Sequence, residues 1–418
     1  MDIKFLGSAR EVGRAGIAVK SEKNQLLLDY GVMFGDEPGF PMHIPPKDVD
    51  AIVLTHSHLD HSGGVPLFHI RDQKPVFGTQ LTFDLAKPLL SDFIRLSGYY
   101  LSFEFLELET MMRSAVHLDF RTKQVVGDMS FQLLNSGHLP GGAQVLVEAE
   151  GKRIVYTGDY NSGDTQLLSG ADQDYGELDA IIIESTYANE IHADRKEIEK
   201  DFMEHVNGVV DNGGTVLIPA FSVGRSQEIA CVLAAHNFKH PVAMDGMARE
   251  ANRIMLNHAS YMRDPKLFTK ALRSAVWVDG WNGRRKTSRK SGAIISPAGM
   301  LKGGPAAFYI QKVGKKSNNG VFLVGYQIPG TPGRELLDGG KCIIDGKVQD
   351  VKAQVKRFDF SSHSGANELK AAVKNLKGNP TVYVVHGEPV NCELFAEWIK
   401  TEVGLKAVVP KAGEAFTV

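Results

Sequence analysis

Residues 55–61, Thr-His-Ser-His-Leu-Asp-His, constrain the fold of this chain more than any other stretch. The four candidate metal ligands in it are His56, His58, Asp60 and His61. An apolar run at 51–54 precedes them and is typical of a buried strand, and a Ser-Gly-Gly turn follows. Imidazole and carboxylate groups are ligands for zinc and related metals. Because residues two apart at a strand end can project to one side, the first two histidines predict one metal position. The last two residues then predict a neighbouring position.

Length and composition set broader limits on the chain. Its 418 residues, 43% hydrophobic and 23% charged, indicate a globular protein of two or three domains, or one domain with a large insertion. No apolar run approaches the length of a membrane span, and the N-terminus lacks the layout of a signal peptide. The three cysteines are scattered, which favours a reducing cytoplasm over a disulfide framework. A net charge of -2 argues weakly against a general polyanion binder and leaves a local basic groove open.

Further candidate site residues stand where other apolar, strand-like runs end. They are Asp29, His138, Asp159, Glu184, His363 and His386. Asp29 is expected to orient the metal loop rather than to bind a metal itself. Asp159 could bridge two ions through its two carboxylate oxygens.

The candidate ligands divide into two sets that share one carboxylate. The first set is His56, His58, His138 and Asp159. The second set is Asp60, His61, His386 and Asp159. Two neighbouring metal ions clamp the attacking and leaving oxygens of a displacement and lower the pKa of water. This pattern predicts a hydrolase, and it suits a phosphate ester, whose charged oxygens need electrostatic stabilisation.

The pattern along the chain predicts one domain interrupted by another. Residues 1–189 alternate short strands with glycine-marked turns, apart from a stretch at 78–118 that is expected to be helical. Residues 190–350 begin with a charged helix and continue as alternating strands and helices, which predicts a parallel α/β sheet. Residues 351–418 return to strands that end in histidines. We therefore expect the tail to complete the first domain, with 190–350 as an insertion.

The ordered set of site residues resembles the metallo-β-lactamase superfamily, whose His-x-His-x-Asp-His motif is present at residues 56–61. The six strand-end residues named above resemble the remaining motifs of its β-CASP nucleases. Inside the insertion, the stretches that look like a β-CASP domain are 219–228, 296–300 and 325–334. The resemblance covers essentially the whole chain. It implies an α/β (α+β) fold, a metallo-β-lactamase αββα sandwich with an inserted parallel-sheet α/β β-CASP domain.

The resemblance also implies a function. It predicts a ribonuclease with two Zn²⁺ ions per chain, with Mn²⁺ as a substitute, that leaves a 5′-phosphate and a 3′-hydroxyl in RNA processing or decay. Endonuclease action is favoured, and 5′-to-3′ exonuclease action is the alternative within the family. His363 is the candidate general acid, and Glu184 is expected to orient it. Asp60 is expected to be both a metal ligand and a catalytic residue. Expected substrate contacts are Arg225, Lys302, Ser361 and Ser362. The partner is RNA rather than a membrane, the location is cytoplasmic, and a homodimer is expected by family analogy.

Two other interpretations compete with this one. The first cluster by itself would also suit a small-molecule metallo-hydrolase, although the inserted domain and the late histidines argue against it. An inactive scaffold is disfavoured because every expected ligand position is filled. The basic run at 284–290 fits either a solvated surface or an RNA track, and its sequence does not choose between them.

Overall fold

The computed structural model describes residues 1–33, 35, 37–344 and 346–418. Its contacts divide the chain into two compact units. The first unit consists of Met1–Asp164, Gly170–Ile191 and His363–Val418, and the second consists of Thr165–Ser169 and His192–Ser362. None of the described helices combines the length and the hydropathy that a membrane span requires.

The strands and helices have the following bounds. In chain order the strands are β1 (Asp2–Phe5), β2 (Ile17–Lys20), β3 (Gln25–Leu28), β4 (Ala51–Val53), β5 (Val76–Gly78), β6 (Ala115–His117), β7 (Gln124–Val126), β8 (Met129–Asn135), β9 (Ala143–Ala149), β10 (Lys152–Tyr156), β11 (Glu177–Glu184), β12 (Thr215–Pro219), β13 (Val242–Met244), β14 (Val276–Trp277), β15 (Gly292–Ser296), β16 (Gly320–Leu323), β17 (Lys341–Ile344), β18 (Lys347–Asp350), β19 (Gln354–Arg357), β20 (Lys377–Val385), β21 (Ala407–Val408) and β22 (Ala415–Thr417). The α-helices are α1 (Leu59–Ser62), α2 (Gln80–Ser97), α3 (Phe105–Arg113), α4 (Arg195–Asp211), α5 (Arg225–Ala235), α6 (Ala248–Asn257), α7 (Pro265–Ser274), α8 (Gly280–Thr287), α9 (Gly304–Val313), α10 (Pro332–Gly339), α11 (Ala366–Lys374) and α12 (Pro389–Trp398). Shorter 3-10 and π turns cover Pro46–Asp48, Val65–His69, Gly98–Tyr100, Ala259–Tyr261 and Ile399–Val403.

The first unit is a sandwich of two sheets. One sheet has the strand order β22-β1-β2-β3-β4-β5-β6, and the other has the order β21-β20-β11-β10-β9-β8-β7. Alternating side chains explain how the sheets pack, because successive residues of a strand face opposite sides. Leu26 and Leu28 join a buried cluster with the second sheet, whereas Leu27 points to the helices α2 and α3 on the other face. Helices α11 and α12 cover the outer face of the second sheet.

The second unit is built on a parallel sheet with the order β14-β13-β15-β12-β16-β19. Short apolar strands alternate with helices there, as expected for a sheet whose two faces are both covered. Strand β19 pairs with β16, so this sheet reaches beyond residue 350, where the sequence pattern placed the end of the insertion. The antiparallel hairpin of β17 and β18 stands apart from the sheet.

The layered fold expected from the sequence is present, with one local correction. The stretch at 78–118 is not a continuous helical region, because α2 and α3 are separate helices and β5 and β6 occupy its two ends. Gly98 ends α2 in a left-handed backbone conformation, with φ of 48°, which favours glycine and stops the helix.

Candidate metal centre

Strand ends bring the candidate ligands to one edge of the sandwich. Strands β10, β11 and β20 are parallel neighbours, so their carboxyl ends lie at the same edge of the second sheet. The residues that follow or end these strands are Asp159, Glu184 and His386. The 55–61 loop leaves β4 in the other sheet, and the carbonyl of its Thr55 accepts a hydrogen bond from the amide of Ala143 in β9.

The first ligand group is His56, His58, His138 and Asp159. One potential ligand atom from each of its members lies within 4.8 Å of all the others. The Nε2 atoms of His56 and His138 lie 3.6 and 3.4 Å from Oδ2 of Asp159. Nε2 of His138 lies 3.3 Å from Nδ1 of His58. The same four residues formed the first set predicted from the sequence.

The second ligand group is Asp60, His61, Asp159 and His386. Nε2 of His61 lies 3.2 Å from Oδ1 of Asp159, and Nε2 of His386 lies 3.5 Å from Oδ2 of Asp60. Asp159 therefore turns its Oδ2 atom to the first group and its Oδ1 atom to the second. That sharing is what a carboxylate bridge between two ions requires.

Unpaired buried atoms show that these residues fit a metal. Among the described residues, the buried polar atoms that lack a hydrogen-bond partner include Nε2 of His56, Nε2 of His61, Nε2 of His386 and Oδ1 of Asp159. Leaving such an atom unsatisfied costs about 1 to 3 kcal/mol each. Divalent cations at the two groups would satisfy them, because His56 belongs to the first group, His61 and His386 belong to the second, and Asp159 belongs to both. The donor set of imidazole and carboxylate suits zinc.

Burial and neighbouring charges shift the pKa values of the candidate ligands in different directions. Burial lowers the pKa of His56 well below its usual range, and it also lowers the pKa of His58, so both imidazoles are neutral and able to coordinate. Burial opposes the charge of Asp159, but the surrounding imidazoles, His386 foremost, hold its pKa well below the usual range. Burial also disfavours a charged His61, yet Asp159 and Asp29 raise the pKa of that imidazole well above its usual value. A metal ion would take the place of the proton that these carboxylates attract.

Asp29 lies behind the ligands and not among them. Its Oδ2 atom accepts from Nδ1 of His61 (2.7 Å), from the Thr55 hydroxyl (2.7 Å) and from the Tyr156 hydroxyl (3.1 Å). Its Oδ1 atom accepts from the amide of Thr55 (2.8 Å). These bonds hold the His61 ring with Nδ1 towards Asp29, so its Nε2 atom faces Asp159.

Two threonine side chains lie within hydrogen-bond distance of the Nδ1 atoms of other histidines. The Thr55 oxygen lies 3.1 Å from Nδ1 of His56, and the Thr186 oxygen lies 3.3 Å from Nδ1 of His386. Because both hydroxyls donate to other acceptors, their oxygens are left to accept from the imidazoles. These threonines and Tyr156 were not predicted from the sequence. The only signal was their position at strand ends beside a candidate ligand.

His363 and Glu184 form a pair beside the two groups. Nδ1 of His363 donates to Oε1 of Glu184 (2.8 Å), and Nε2 of His363 lies 3.9 Å from Oδ2 of Asp159. The His363 side chain is 18% exposed, whereas Glu184 is fully buried. The amides of Tyr160 (2.7 Å) and Thr186 (3.2 Å) donate to the Glu184 carboxylate and fix it. Glu184 thus sets the orientation of an imidazole whose other nitrogen faces the ligand groups.

The expected substrate contacts lie in the second unit and differ in accessibility. Arg225 is only 9% exposed, and its guanidinium donates to the carbonyl of Val324 (2.7 Å) and to the Ser362 hydroxyl (3.3 Å). Ser361 is partly buried, and its carbonyl accepts from Arg195 (3.4 Å). Lys302 is exposed. Arg225 therefore holds the loops around it together in the structure, whereas Lys302 reaches solvent.

The basic run at 284–290 begins with a structural residue. Arg284 donates to both oxygens of Asp245 at 2.8 and 3.2 Å, and the Tyr309 hydroxyl donates to the same fully buried carboxylate at 2.8 Å. A buried carboxylate is costly unless it is paired, so Arg284 stabilises the second unit. The run ends at the exposed Arg289 and Lys290.

Three family models match successive parts of the chain. The "Metallo-beta-lactamase superfamily" model matches residues 19–183, and the "Beta-Casp domain" model matches residues 226–336. A model described as "Zn-dependent metallo-hydrolase RNA specificity domain" matches residues 348–410. The first match includes residues 55–61, His138 and Asp159, and the last includes His363 and His386.

Several archaeal proteins are similar along the full chain. RNase aCSPSF2 from Saccharolobus solfataricus is 40% identical, over 100% of this chain and 85% of that protein. The probable RNase MJ4 from Methanocaldococcus jannaschii is 36% identical, over 100% of both. Transcription termination factor FttA from the same organism is 31% identical, over 100% of this chain and 71% of its own length.

One solved structure supports the fold alone. A crystal structure of a protein of unknown function from Enterococcus faecalis V583 superposes with a TM-score of 0.63 and 12% identity, covering 100% of this chain and 99% of that chain. At this identity the likeness concerns architecture and carries no information on substrate.

Proposed function

The chain belongs to the β-CASP ribonucleases of the metallo-β-lactamase superfamily, and from this premise we propose that it cuts RNA internally with two zinc ions. As a member of that family it is a metal-dependent hydrolase. The observation that carries the proposal is Asp159, whose two oxygens face two separate ligand groups. Manganese could replace zinc, because oxygen and imidazole ligands accept both metals.

The seven proposed ligands have distinct tasks. His56, His58 and His138 would hold the first ion, Asp60, His61 and His386 the second, and Asp159 both. When bound, the ions supply positive charge for the phosphate oxygens and lower the pKa of water to near neutrality. Asp29 keeps His61 in position for this role. Asp60, whose side chain is 25% exposed, is also the ligand carboxylate best placed to meet the substrate.

His363 is proposed as the general acid. Its Nδ1–H is held by the buried Glu184 carboxylate, so the proton available for transfer is the one on Nε2. Donation of that proton to the leaving 3′ oxygen of RNA gives a 3′-hydroxyl, while water attack leaves the 5′-phosphate on the other product. Glu184 does not touch the substrate in this scheme, and it acts as a positioning residue through His363.

The candidate contacts to the RNA backbone lie in the second unit. Lys302, exposed in a glycine-rich loop, is the candidate phosphate contact on the second unit. Arg225, Ser361 and Ser362 remain candidates, with Arg225 acting through the loops that it holds. A cytoplasmic location and a homodimeric assembly stay predictions.

A circular RNA distinguishes the proposed activity from its alternative. The zinc-loaded protein is expected to linearise a circular single-stranded RNA, because internal cleavage needs no free end. The ends of the product, read by ligation and phosphatase sensitivity, should be a 5′-phosphate and a 3′-hydroxyl. Degradation of linear 5′-monophosphate RNA with an intact circle would instead establish the 5′-to-3′ exonuclease. Hydrolysis of thioesters or lactams with both RNAs intact would indicate a small-molecule hydrolase.

A further inference from the structure

Phe221 is an aromatic ring that the second unit leaves in solvent. It is 43% exposed, whereas Phe202, Phe268 and Phe322 of the same unit are at most 1% exposed. Its backbone is nevertheless fixed. The Ser226 hydroxyl (2.6 Å) and amide (3.2 Å) both donate to the carbonyl of Phe221. An exposed apolar ring on a rigid loop gains little from folding, and this makes it a candidate for binding.

The loop of Phe221 adjoins two neighbouring loops. The strands β15, β12 and β16 are adjacent and parallel, so the loops after them share the carboxyl edge of the sheet. A Cβ atom on Gly299 would lie 3.3 Å from the amide nitrogen of Phe221, and one on Gly325 would lie 3.7 Å from its ring. The three loops therefore meet at Phe221. In open α/β sheets, ligands bind at this edge.

The third loop adds a second exposed aromatic and is also rigid. Tyr326, directly after Gly325, is 37% exposed. Arg225 donates to the carbonyl of Val324 (2.7 Å), and the buried Gln327 side chain donates to the carbonyl of Gly325 (3.1 Å). Both rings are thus presented on loops whose backbone is already ordered. Little conformational entropy would be lost when a flat ligand binds to them.

The chemistry of this surface matches a nucleobase. We propose that Phe221, with Tyr326 beside it, is a stacking platform for an unpaired base of the substrate RNA. The inference rests on the proposed ribonuclease function and assigns a substrate contact to it. Every base has a flat π face, so aromatic stacking holds single-stranded RNA with little sequence preference. The exposed Lys302, in the loop of Gly299, supplies a positive charge for the adjoining phosphates.

The test compares three variants of the zinc-loaded full chain on a single-stranded RNA. Phe221→Leu removes the π face and keeps the apolar bulk, and it is expected to raise KM about tenfold, far more than it changes kcat. Phe221→Tyr retains the ring and should restore KM. Phe105→Leu is the matched control, since Phe105 is 46% exposed on α3 of the other unit, and it should behave as the wild type. The melting temperature of each variant identifies any folding defect.

An abasic scan then locates the interaction. When single nucleotides of the RNA are replaced by abasic sites, the wild type should lose affinity at one position. The Phe221→Leu variant should bind RNA that is abasic at this position as tightly as it binds the intact RNA. The slope of affinity against salt should be unchanged, because no phosphate contact is removed. A wild-type KM for Phe221→Leu, or equal losses for both proteins at every abasic position, would overturn the proposal.

Failure of the proposed function has a different signature. If the wild type does not cleave RNA, the ribonuclease proposal fails by itself. Stacking would then be judged by quenching of a 2-aminopurine base in bound RNA, which Phe221→Leu should abolish and Phe105→Leu should not. A protein that cleaves RNA, but whose Phe221→Leu variant quenches 2-aminopurine like the wild type, would reject the platform and keep the ribonuclease.

Discussion

Single residues decide the chemistry of this protein through the direction of individual atoms. Asp159 is suited to bridging because its two oxygens face different ligand groups. His56 and His61 are suited to binding a metal because neighbouring oxygens hold their Nδ1 atoms and leave Nε2 facing Asp159. The side-chain type alone does not give these directions, which arise from the second layer of contacts.

Substitution of His363 tests its proposed role as the general acid. In zinc-loaded protein, His363→Ala is expected to lower kcat for RNA cleavage roughly 100-fold or more, because proton donation to the leaving oxygen is lost. Zinc content, measured by mass spectrometry, should be unchanged, since the two four-residue ligand groups do not include His363. His117→Ala, a change on the exposed strand β6, serves as the control. Wild-type kcat with zinc retained would show that the acid is another group.

Substitution of Glu184 tests whether this carboxylate acts through His363. Glu184→Gln keeps a hydrogen-bond acceptor for Nδ1 of His363 and removes the charge, so a smaller loss of kcat than for His363→Ala is expected. A loss of zinc in this variant would instead indicate that the third cluster, Asp159, Glu184 and His363, contributes to metal binding.

At the scale of elements, the metal loop depends on a turn that lies against it. The residues after β3 bond to the short helix α1, with the amide of Tyr30 donating to the carbonyl of His61 (2.9 Å) and that of Val32 to Leu59 (2.9 Å). Between them, Gly31 passes so close to α1 that a Cβ atom would lie 1.7 Å from the carbonyl oxygen of Asp60. A glycine is required there because two backbones meet.

Gly31→Ala tests this close approach. The added methyl group would collide with backbone atoms that cannot rotate away, so we expect a loss of about 3 kcal/mol or more in the free energy of unfolding, together with weaker zinc binding. Denaturant unfolding and zinc titration measure the two effects. Gly208→Ala is the contrasting variant, since Gly208 is exposed inside α4 with nothing within 4 Å of an added Cβ. It should stabilise the protein by about 0.5 to 1 kcal/mol. Equal effects of the two changes would contradict the explanation.

At the scale of the whole molecule, the candidate ligands and the proposed RNA platform belong to different units. All seven candidate ligands lie in the first unit, which the chain leaves near residue 191 and re-enters at His363. The second unit has its own parallel sheet and its own buried core. Metal binding should therefore stabilise the two units unequally.

Chelation of the metal tests that separation. Removing zinc is expected to lower the free energy of unfolding of the first unit, by about 2.7 kcal/mol where free zinc had been at a hundred times its Kd. Hydrogen exchange should rise in peptides that contain residues 55–61, 138, 159 and 386, because unpaired buried groups are then left behind. Exchange in β12, β15 and β16 should stay the same. A uniform rise across both units would refute the prediction.

Much of the fold was predictable because its signals are local. Apolar runs mark the strands, and alternation of strands with helices correctly predicted the parallel sheet of the second unit. The prediction that residues 78–118 are helical was wrong in detail. The strands β5 and β6 at the ends of this stretch are only three residues long, and they pair with strands that are distant in the sequence. Strands as short as these have little pattern of their own.

The sequence by itself determined which ligand types the chain offers and that each follows a strand, since both are properties of neighbouring residues. Only the tertiary structure decided that Asp159 faces both groups and that Asp29 holds His61. It also decided that Arg225 donates a hydrogen bond to a neighbouring loop and that Phe221 remains exposed. The physical reason is that these properties depend on atoms brought together by the order of strands in a sheet. That order is fixed by packing over long sequence separations, and no local pattern encodes it.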